Sequence, residues 1–230
     1  VGGATPTPEM LAAWRAKGVI VRQLYGMTEV GGGSIIATEE EARTRPMSCG
    51  RGLAFSRFRI VRDDGAPCDP GEAGHILLQG PGMMTGYWRE PEATAAALRD
   101  GWMHTGDIGM ADEDGYFTFL DRSKEMIKSG GFNVSPSEIE AVLMRLDGVV
   151  ECAVFGVADE KFAEVPFACV TVRDGGPDAD AIRAHCGALL ARFKVPAYVA
   201  TSVEPLPRLA NEKIDRRSLK LRHAVLPGDR

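Results

Sequence analysis

Little in the 230-residue sequence ties it to a disulfide scaffold, a metal centre, a membrane or a nucleic acid. Its five cysteines, Cys49, Cys68, Cys152, Cys169 and Cys186, are odd in number and widely spaced, with no Cys-x-x-Cys pair. That pattern fits reduced, structural thiols and neither a disulfide framework nor a zinc site. The four histidines, His75, His104, His185 and His223, are equally scattered, without ligand spacing or a neighbouring Ser or Cys nucleophile motif. No apolar run approaches the roughly 18 residues that cross a bilayer, so no transmembrane segment is expected. The first residues are neither basic nor followed by an apolar signal core, and the reading is a soluble, cytoplasmic protein. Basic charge is also short: 27 Lys plus Arg stand against 32 Asp plus Glu, a net charge of −5. Phosphate backbones attract a basic face, so no nucleic-acid partner is expected and small molecules or proteins are favoured. An initiator Met and a lead-in element are missing too, and Val1-Gly2-Gly3-Ala4 reads as the middle of a longer chain.

What is present is a 44% hydrophobic chain, long enough for one or two domains with real cores. Thr7, Pro8 and Glu9 form a helix start with a capping hydroxyl, a proline in the first turn and an acid near the positive end of the dipole. Met10, Leu11 and Trp14 are its expected buried stripe, and Gly18 its end. Val19 to Leu24 is β-branched and reads as a buried strand, making residues 1–50 an α/β segment. From Arg51 to about Leu120, short apolar runs alternate with Asp63-Asp64-Gly65, Pro70-Gly71, Pro81-Gly82 and Asp112-Glu113-Asp114-Gly115. Those are turn chemistries, so residues 51–123 are expected to be mostly β, a small barrel. A second domain, 124–230, is expected to be α+β. Ser135-Pro136-Ser137-Glu138 is a capping box ahead of Ile139, Val142, Leu143 and Leu146 on one helix face. Strands are expected near Val149–Val157, Phe167–Val172 and Tyr198–Val203, with a helix near Ala179–Arg192.

Four places carry chemistry. Tyr25-Gly26-Met27-Thr28-Glu29 follows the expected strand, where α/β layers contact ligands. Thr28 offers a hydroxyl to a phosphate, Glu29 a hard oxygen for Mg²⁺ and Tyr25 a flat face for a base, although a plain polar strand exit fits the pentapeptide equally. Thr105-Gly106-Asp107 is expected in a tight loop, where the Asp107 carboxylate can accept two hydroxyl protons, as ribose recognition needs. A Gly-Asp turn without function fits as well. Arg122, Lys124 and Lys128 precede Gly130-Gly131-Phe132-Asn133-Val134, a cationic cluster beside a glycine loop suited to an anion, or a solvated linker. Lys213 stands in a polar stretch, Pro207 to Arg216, near the chain end, where an ordinary lysine is simply solvated.

Taken in order, these pieces resemble the adenylate-forming superfamily of acyl/aryl-CoA synthetases and luciferase-like enzymes, in its acyl-CoA synthetase branch. The resemblance rests on Gly3-Ala4, Tyr25 to Glu29, Gly86-Tyr87-Trp88, Trp102 to Asp107, Asp121 to Val134, Pro136-Ser137-Glu138-Ile139-Glu140 and the Lys213 region, and so covers nearly the whole chain. It implies the carboxyl-terminal part only: residues 1–123 as the tail of the large AMP-binding domain and 124–230 as a complete, mobile small domain. It also implies two reactions, acyl-AMP formation from a carboxylic acid and ATP with Mg²⁺, then transfer of a fatty or other acyl group to CoA. Carried over residue by residue, Gly3, Ala4, Tyr25, Gly26 and Thr28 hold adenine and phosphate, Asp107 and Arg122 the ribose, and Glu29 the Mg²⁺. Lys213 is then the catalytic cation of adenylation, Lys124 the hinge, and Gly130-Gly131 the loop along the CoA thiol path. An adenylation domain feeding a carrier protein and a non-catalytic acyl- or nucleotide-binding homologue are the alternatives.

Two departures follow from the same resemblance. The family's Ser/Thr/Gly-rich phosphate loop is missing, so the 230 residues alone are expected to be inactive. Glu212 stands where glycine usually precedes the lysine, and Leu209 where threonine is common. A Glu resists backbone conformations that glycine permits, and its carboxylate beside Lys213 can hold the ammonium back.

Overall fold

The computed structural model describes residues 1–3, 5–210 and 212–223, in two compact units, Val1–Ser123 and Lys124 onward. The first opens with helix α1 (Pro8–Ala16), where Thr7 Oγ1 accepts the Met10 N–H at 3.2 Å and Gly18, at φ +78°, follows the helix end. Strands β1 (Leu24–Met27) and β2 (Gly32–Ile36) form an antiparallel hairpin, followed by helix α2 (Glu39–Thr44) with a complete Thr38/Glu41 capping box. Then come β3 (Arg57–Val61), β4 (Gly74–Gln79), helix α3 (Pro91–Ala97), β5 (Leu98–Arg99), β6 (Trp102–Ala111) and β7 (Phe117–Arg122). These five strands make an antiparallel sheet ordered β3-β4-β6-β5, with β7 beside the far half of β6.

Three expectations for this unit are corrected. The strand begins at Leu24 and not Val19, because β2 offers a partner only opposite Leu24–Met27; Gln23 makes a single backbone contact, accepting from Ala37. Of the expected stripe on α1 only Leu11 is buried, and Met10 and Trp14 are 40% and 46% exposed. Among the described strand pairs, β3 stands at one edge of this sheet. Helix α3 lies inside the stretch expected to be mostly β; its proline opens the first turn and Thr94 Oγ1 bonds back to the Glu90 carbonyl at 2.8 Å.

The second unit runs β8 (Ile127–Ser129), β9 (Phe132–Val134), helix α4 (Pro136–Leu143), β10 (Val149–Asp159), β11 (Ala163–Val172), helix α5 (Ala179–Leu189), β12 (Tyr198–Ser202) and helix α6 (Arg216–His223). β10 and β11 pair antiparallel over most of their length and β12 adds parallel to β11. Both faces of this sheet are covered, one by Ile139, Leu143, Ile182 and Cys186 of α4 and α5, the other by Leu206 and Leu219. That is why both strands read as nearly continuous apolar runs. Ser135 Oγ accepts the Glu138 N–H at 3.3 Å, while the Glu138 carboxylate is taken by Lys194 Nζ at 2.7 Å. Four of the five cysteines are buried, all five are free, and burial pushes Cys49, Cys169 and Cys186 up to about 11, so they act as core and not as nucleophiles.

The core of the first unit centres on Phe117, with no exposed surface, whose ring lies 4.9 Å from Tyr25 and 5.4 Å from Phe58. Its carbonyl accepts from Ser48 Oγ at 2.7 Å and from the Cys49 N–H at 2.9 Å, so side chain and backbone are both engaged. Trp14, Trp88 and Trp102 all lie in this unit, so tryptophan fluorescence reports on it alone. In urea unfolding followed that way, Phe117→Ala is expected to cost about 3–5 kcal/mol. A loss below about 1 kcal/mol would show that the aromatic cluster does not hold the unit.

Candidate functional site

The polar centre of the first unit is built on an irregularity in β6. His75 of β4 faces Ile108 and Leu77 faces His104, so the single residue Ile76 opposes Thr105, Gly106 and Asp107. The strand bows away from β4 there, and Gly106 takes φ +74°, a conformation costly for any residue with a Cβ. Thr105 secures the bow by donating to the Ile76 carbonyl at 2.8 Å and accepting the Asp107 N–H at 3.1 Å. Asp107 therefore lies within β6 and not in the expected loop, because its neighbours keep pairing with β4 and β7 on either side.

Tyr25 donates its hydroxyl to Asp107 Oδ2 at 2.7 Å, and Arg122 Nε lies 3.7 Å from Asp107 Oδ1. Asp107 and Arg122 are register partners across β6 and β7. The Tyr25 ring stacks toward Phe117 and Phe119 and is 8% exposed, so its ring belongs to the core and its hydroxyl to the rim. Burial, then the Asp107 charge, raises the Tyr25 phenol far above its ordinary 10.0. A carboxylate has about four lone-pair positions, enough to accept a vicinal diol besides the phenol.

Glu29 occupies the 3₁₀ turn Thr28–Val30 of the β1–β2 hairpin, so Thr28 and Glu29 sit at a hairpin tip and not at the end of a parallel strand. Glu29 Oε1 accepts the Tyr87 hydroxyl at 2.9 Å, and its backbone carbonyl accepts the Met84 N–H at 2.7 Å. Its other oxygen has no hydrogen-bond partner among the described residues, which suits a Mg²⁺ held by one carboxylate with phosphate and water oxygens completing the shell. Gly26, the register partner of Gly33, lies so close to β2 that a Cβ would come 1.9 Å from the Gly32 carbonyl oxygen. Gly3 is exposed beside this hairpin, where the Leu24 N–H donates to the Val1 carbonyl at 2.9 Å; Ala4 lies outside the described residues.

In the second unit, Lys124 is exposed in the 3₁₀ turn Ser123–Glu125. Gly130 and Gly131, at φ +56° and +85°, are the two-residue turn between β8 and β9, a left-handed pair that matches the strand twist. Lys213 is exposed on a loop closed by an Arg208–Ile214 bridge, with the Leu209 N–H donating to the Lys213 carbonyl at 2.8 Å. Glu212 adopts φ +64°, the left-handed region that glycine enters without cost.

Comparison with known proteins finds family matches in both units. A family model described as AMP-binding enzyme matches residues 1–88, and one described as AMP-binding enzyme C-terminal domain matches residues 138–213. The chain belongs to the AMP-binding enzyme family. A 2-succinylbenzoate–CoA ligase of Geobacillus kaustophilus is 46% identical over 220 residues, 95% of this chain and 44% of that protein. A feruloyl-CoA synthase of an Amycolatopsis species is 39% identical over 222 residues, 96% of this chain and 45% of the relative. Among solved structures, the o-succinylbenzoate CoA synthetase of Bacillus subtilis with its acyl-adenylate intermediate superposes with a TM-score of 0.88 at 35% identity, over 95% of this chain and 45% of that one. The chain thus spans less than half the length of these relatives.

Within this chain, Tyr25, Asp107 and Arg122 meet directly, and Thr28 and Glu29 sit at the tip of the hairpin that carries Tyr25. Sequence reasoning missed the roles of Thr105, which secures the bow, and Tyr87, which holds Glu29, although both stood inside quoted motifs. It also missed Glu151, Glu140, Arg208 and Arg216 around the lysine loop. A raised phenol keeps its proton in the folded state at pH values where the unfolded chain has lost it. Its contribution to stability is full below about pH 10 and shrinks as pH rises past that value. Urea stability measured between about pH 8 and 11 should fall with pH, and Tyr25→Phe should flatten the fall in part, Tyr87 being raised the same way by burial and Glu29. An unchanged slope in Tyr25→Phe would show that this phenol does not carry the effect.

Proposed function

We propose that the protein containing this chain is an ATP-dependent carboxylic acid–CoA ligase, working through an acyl-adenylate. The observation that carries the reading is the Asp107 carboxylate, set by the β6 bow between the Tyr25 hydroxyl and Arg122, where it can accept a ribose diol. Kinship to proteins named as CoA ligases in both units supports the rest. In the first step a substrate carboxylate oxygen attacks the α-phosphorus of ATP, the bond to the β-phosphate bridge breaks, and pyrophosphate leaves with that electron pair. In the second, a CoA thiol loses its proton, its sulfur attacks the acyl carbon, and AMP departs as the C–O bond breaks.

In this reading Tyr25 and Asp107 fix the nucleoside, with Gly3, Ala4 and Gly26 providing close backbone approach, while Thr28 offers a hydroxyl to the phosphates. Glu29 would hold a Mg²⁺, which would supply neutralisation of phosphate charge. Lys213 offers a compact ammonium to the α-phosphate and the incoming carboxylate, two anions that otherwise repel. The division into units at Ser123/Lys124 supports Lys124 as the hinge of a small domain that turns between steps, with the Gly130-Gly131 turn replacing Lys213 along the thiol path. The acyl group is a fatty, aryl or other carboxylic acid.

The test uses the gene product that contains this chain, incubated with ATP, Mg²⁺, CoA and aromatic, short, medium and long carboxylic acids, with AMP and thioester detected by mass spectrometry. The expected outcome is AMP with one class of acyl-CoA; nucleotide binding without either product would overturn the reading. Lys213→Ala is expected to slow adenylation by about 10²–10³-fold, the usual loss when one transition-state charge partner is removed. It should leave thioester formation from supplied acyl-adenylate nearly intact. Glu212→Gly should speed adenylation, since a left-handed position favours glycine by about 1 kcal/mol. An unchanged or lower rate would discard the argument from Glu212.

A further inference from the structure

The loop carrying Lys213 has little apolar surface to fold around: Leu209 is 47% exposed, and Glu212 and Lys213 are exposed. Its shape is held by hydrogen bonds. The Glu212 N–H donates to the Leu209 carbonyl at 2.9 Å, the Leu209 N–H to Lys213 at 2.8 Å, and the Asp215 N–H to Pro207 at 2.7 Å. Beyond this closure, an arginine stands at each foot of the loop.

Arg208 Nη1 donates to the Glu212 carbonyl oxygen at 2.7 Å, which is the peptide group leading directly into Lys213 and follows the residue at φ +64°. Arg208 Nη2 is paired with Glu151 Oε2, and Glu151 Oε1 accepts the Leu206 N–H at 2.7 Å. The Glu151 side chain is only 16% exposed, so this pair is better shielded than a surface ion pair. At the other foot, Arg216 forks onto both oxygens of Glu140, at 2.5 and 2.9 Å, and donates to the Val154 carbonyl at 2.8 Å. Glu140 also accepts the Val154 N–H at 2.7 Å, so α4, β10 and the start of α6 are tied together.

We propose that Arg208, oriented by Glu151, is a positioning residue for Lys213: its guanidinium fixes the Glu212–Lys213 peptide and thereby where the ammonium arrives. This rests on the reading above, in which Lys213 serves adenylation. The physical reason is that a single flexible ammonium acts only where its backbone is fixed, and a misplacement of about 1 Å costs about 100-fold. Arg208 has the planar fork needed to hold a carboxylate with one nitrogen and a carbonyl with another; lysine has not.

The experiment compares two half-reactions in the gene product that contains this chain: ATP–pyrophosphate exchange for adenylation, and thioester formation from chemically prepared acyl-adenylate and CoA. Arg208→Gln should slow adenylation about 10–100-fold through kcat with little change in KM for ATP, and leave the thioester step within about twofold. Arg208→Lys, which keeps the charge but loses the fork, should slow adenylation in the same direction. Arg208→Gln added to Lys213→Ala should cost nothing beyond Lys213→Ala alone, because a residue acting through Lys213 has nothing left to position. Equal losses in both half-reactions, or a double variant slower than Lys213→Ala, would overturn the inference while leaving the role of Lys213 standing. If Lys213→Ala itself adenylates normally, the underlying reading fails first and the inference with it.

Discussion

One residue of β4 facing three of β6 is the mismatch on which the first unit's polar centre depends. In a regular antiparallel pair, the face that carries Met103 and Gly109 into the core would carry Asp107 with it, since alternate residues share a face. A carboxylate buried among Tyr25, Phe58 and Phe117 would have to lose its charge or find a full set of partners. The three-for-one bow moves that carboxylate out to the rim, where its side chain is 13% exposed and a phenol and a guanidinium reach it. Thr105 stabilises the bow by bonding across it, and Gly106 makes its backbone turn accessible.

The same arrangement explains why the core and the site cannot be separated in this unit. Tyr25 gives its ring to Phe117 and Phe119 and its hydroxyl to Asp107, so any repacking of the aromatic cluster moves the hydrogen-bond donor as well. Phe117 in turn is stitched through its own carbonyl to Ser48 and Cys49. The alignment of a polar group at the rim is thus set by close packing beneath it, where displacements of a few tenths of an ångström are resisted.

What could be read from the residues alone was local. Helix starts at Thr7 and Ser135 declared themselves through capping chemistry, and β10 and β11 through long apolar runs. Two-residue glycine chemistry marked the turn at Gly130-Gly131, and the unit boundary at Lys124 coincided with a change of pattern. What depended on a distant partner could not be read. The extent of β1 is decided by β2, the bow at Asp107 by Ile76 some thirty residues earlier, and the exposure of Trp14 by what does not pack on α1. The partners of the lysine loop are of the same kind. Arg208 and Glu151 are 57 residues apart, and Arg216 and Glu140 are 76 apart. No periodicity or motif connects those pairs, whereas the left-handed backbone at Glu212 was foreshadowed by the glycine usual at that place.

The two arginine–glutamate pairs also bear on where the geometry around Lys213 is set. Among the described contacts, Glu140, Glu151 and Val154, which brace the feet of the loop, lie in the same compact unit as Lys213. The bracing of the Lys213 loop by these groups is therefore internal to that unit. If the small unit turns as proposed, a lysine fixed by contacts to the first unit would have to break and remake them, with the ordering cost incurred at each turn. In the proposed reaction, bracing charges placed behind the loop would keep that cost out of the step in which Lys213 gives way to the Gly130-Gly131 turn. In a protein with a net charge of −5, those charges are glutamates already present on the sheet and helix, and the loop supplies the arginines that answer them.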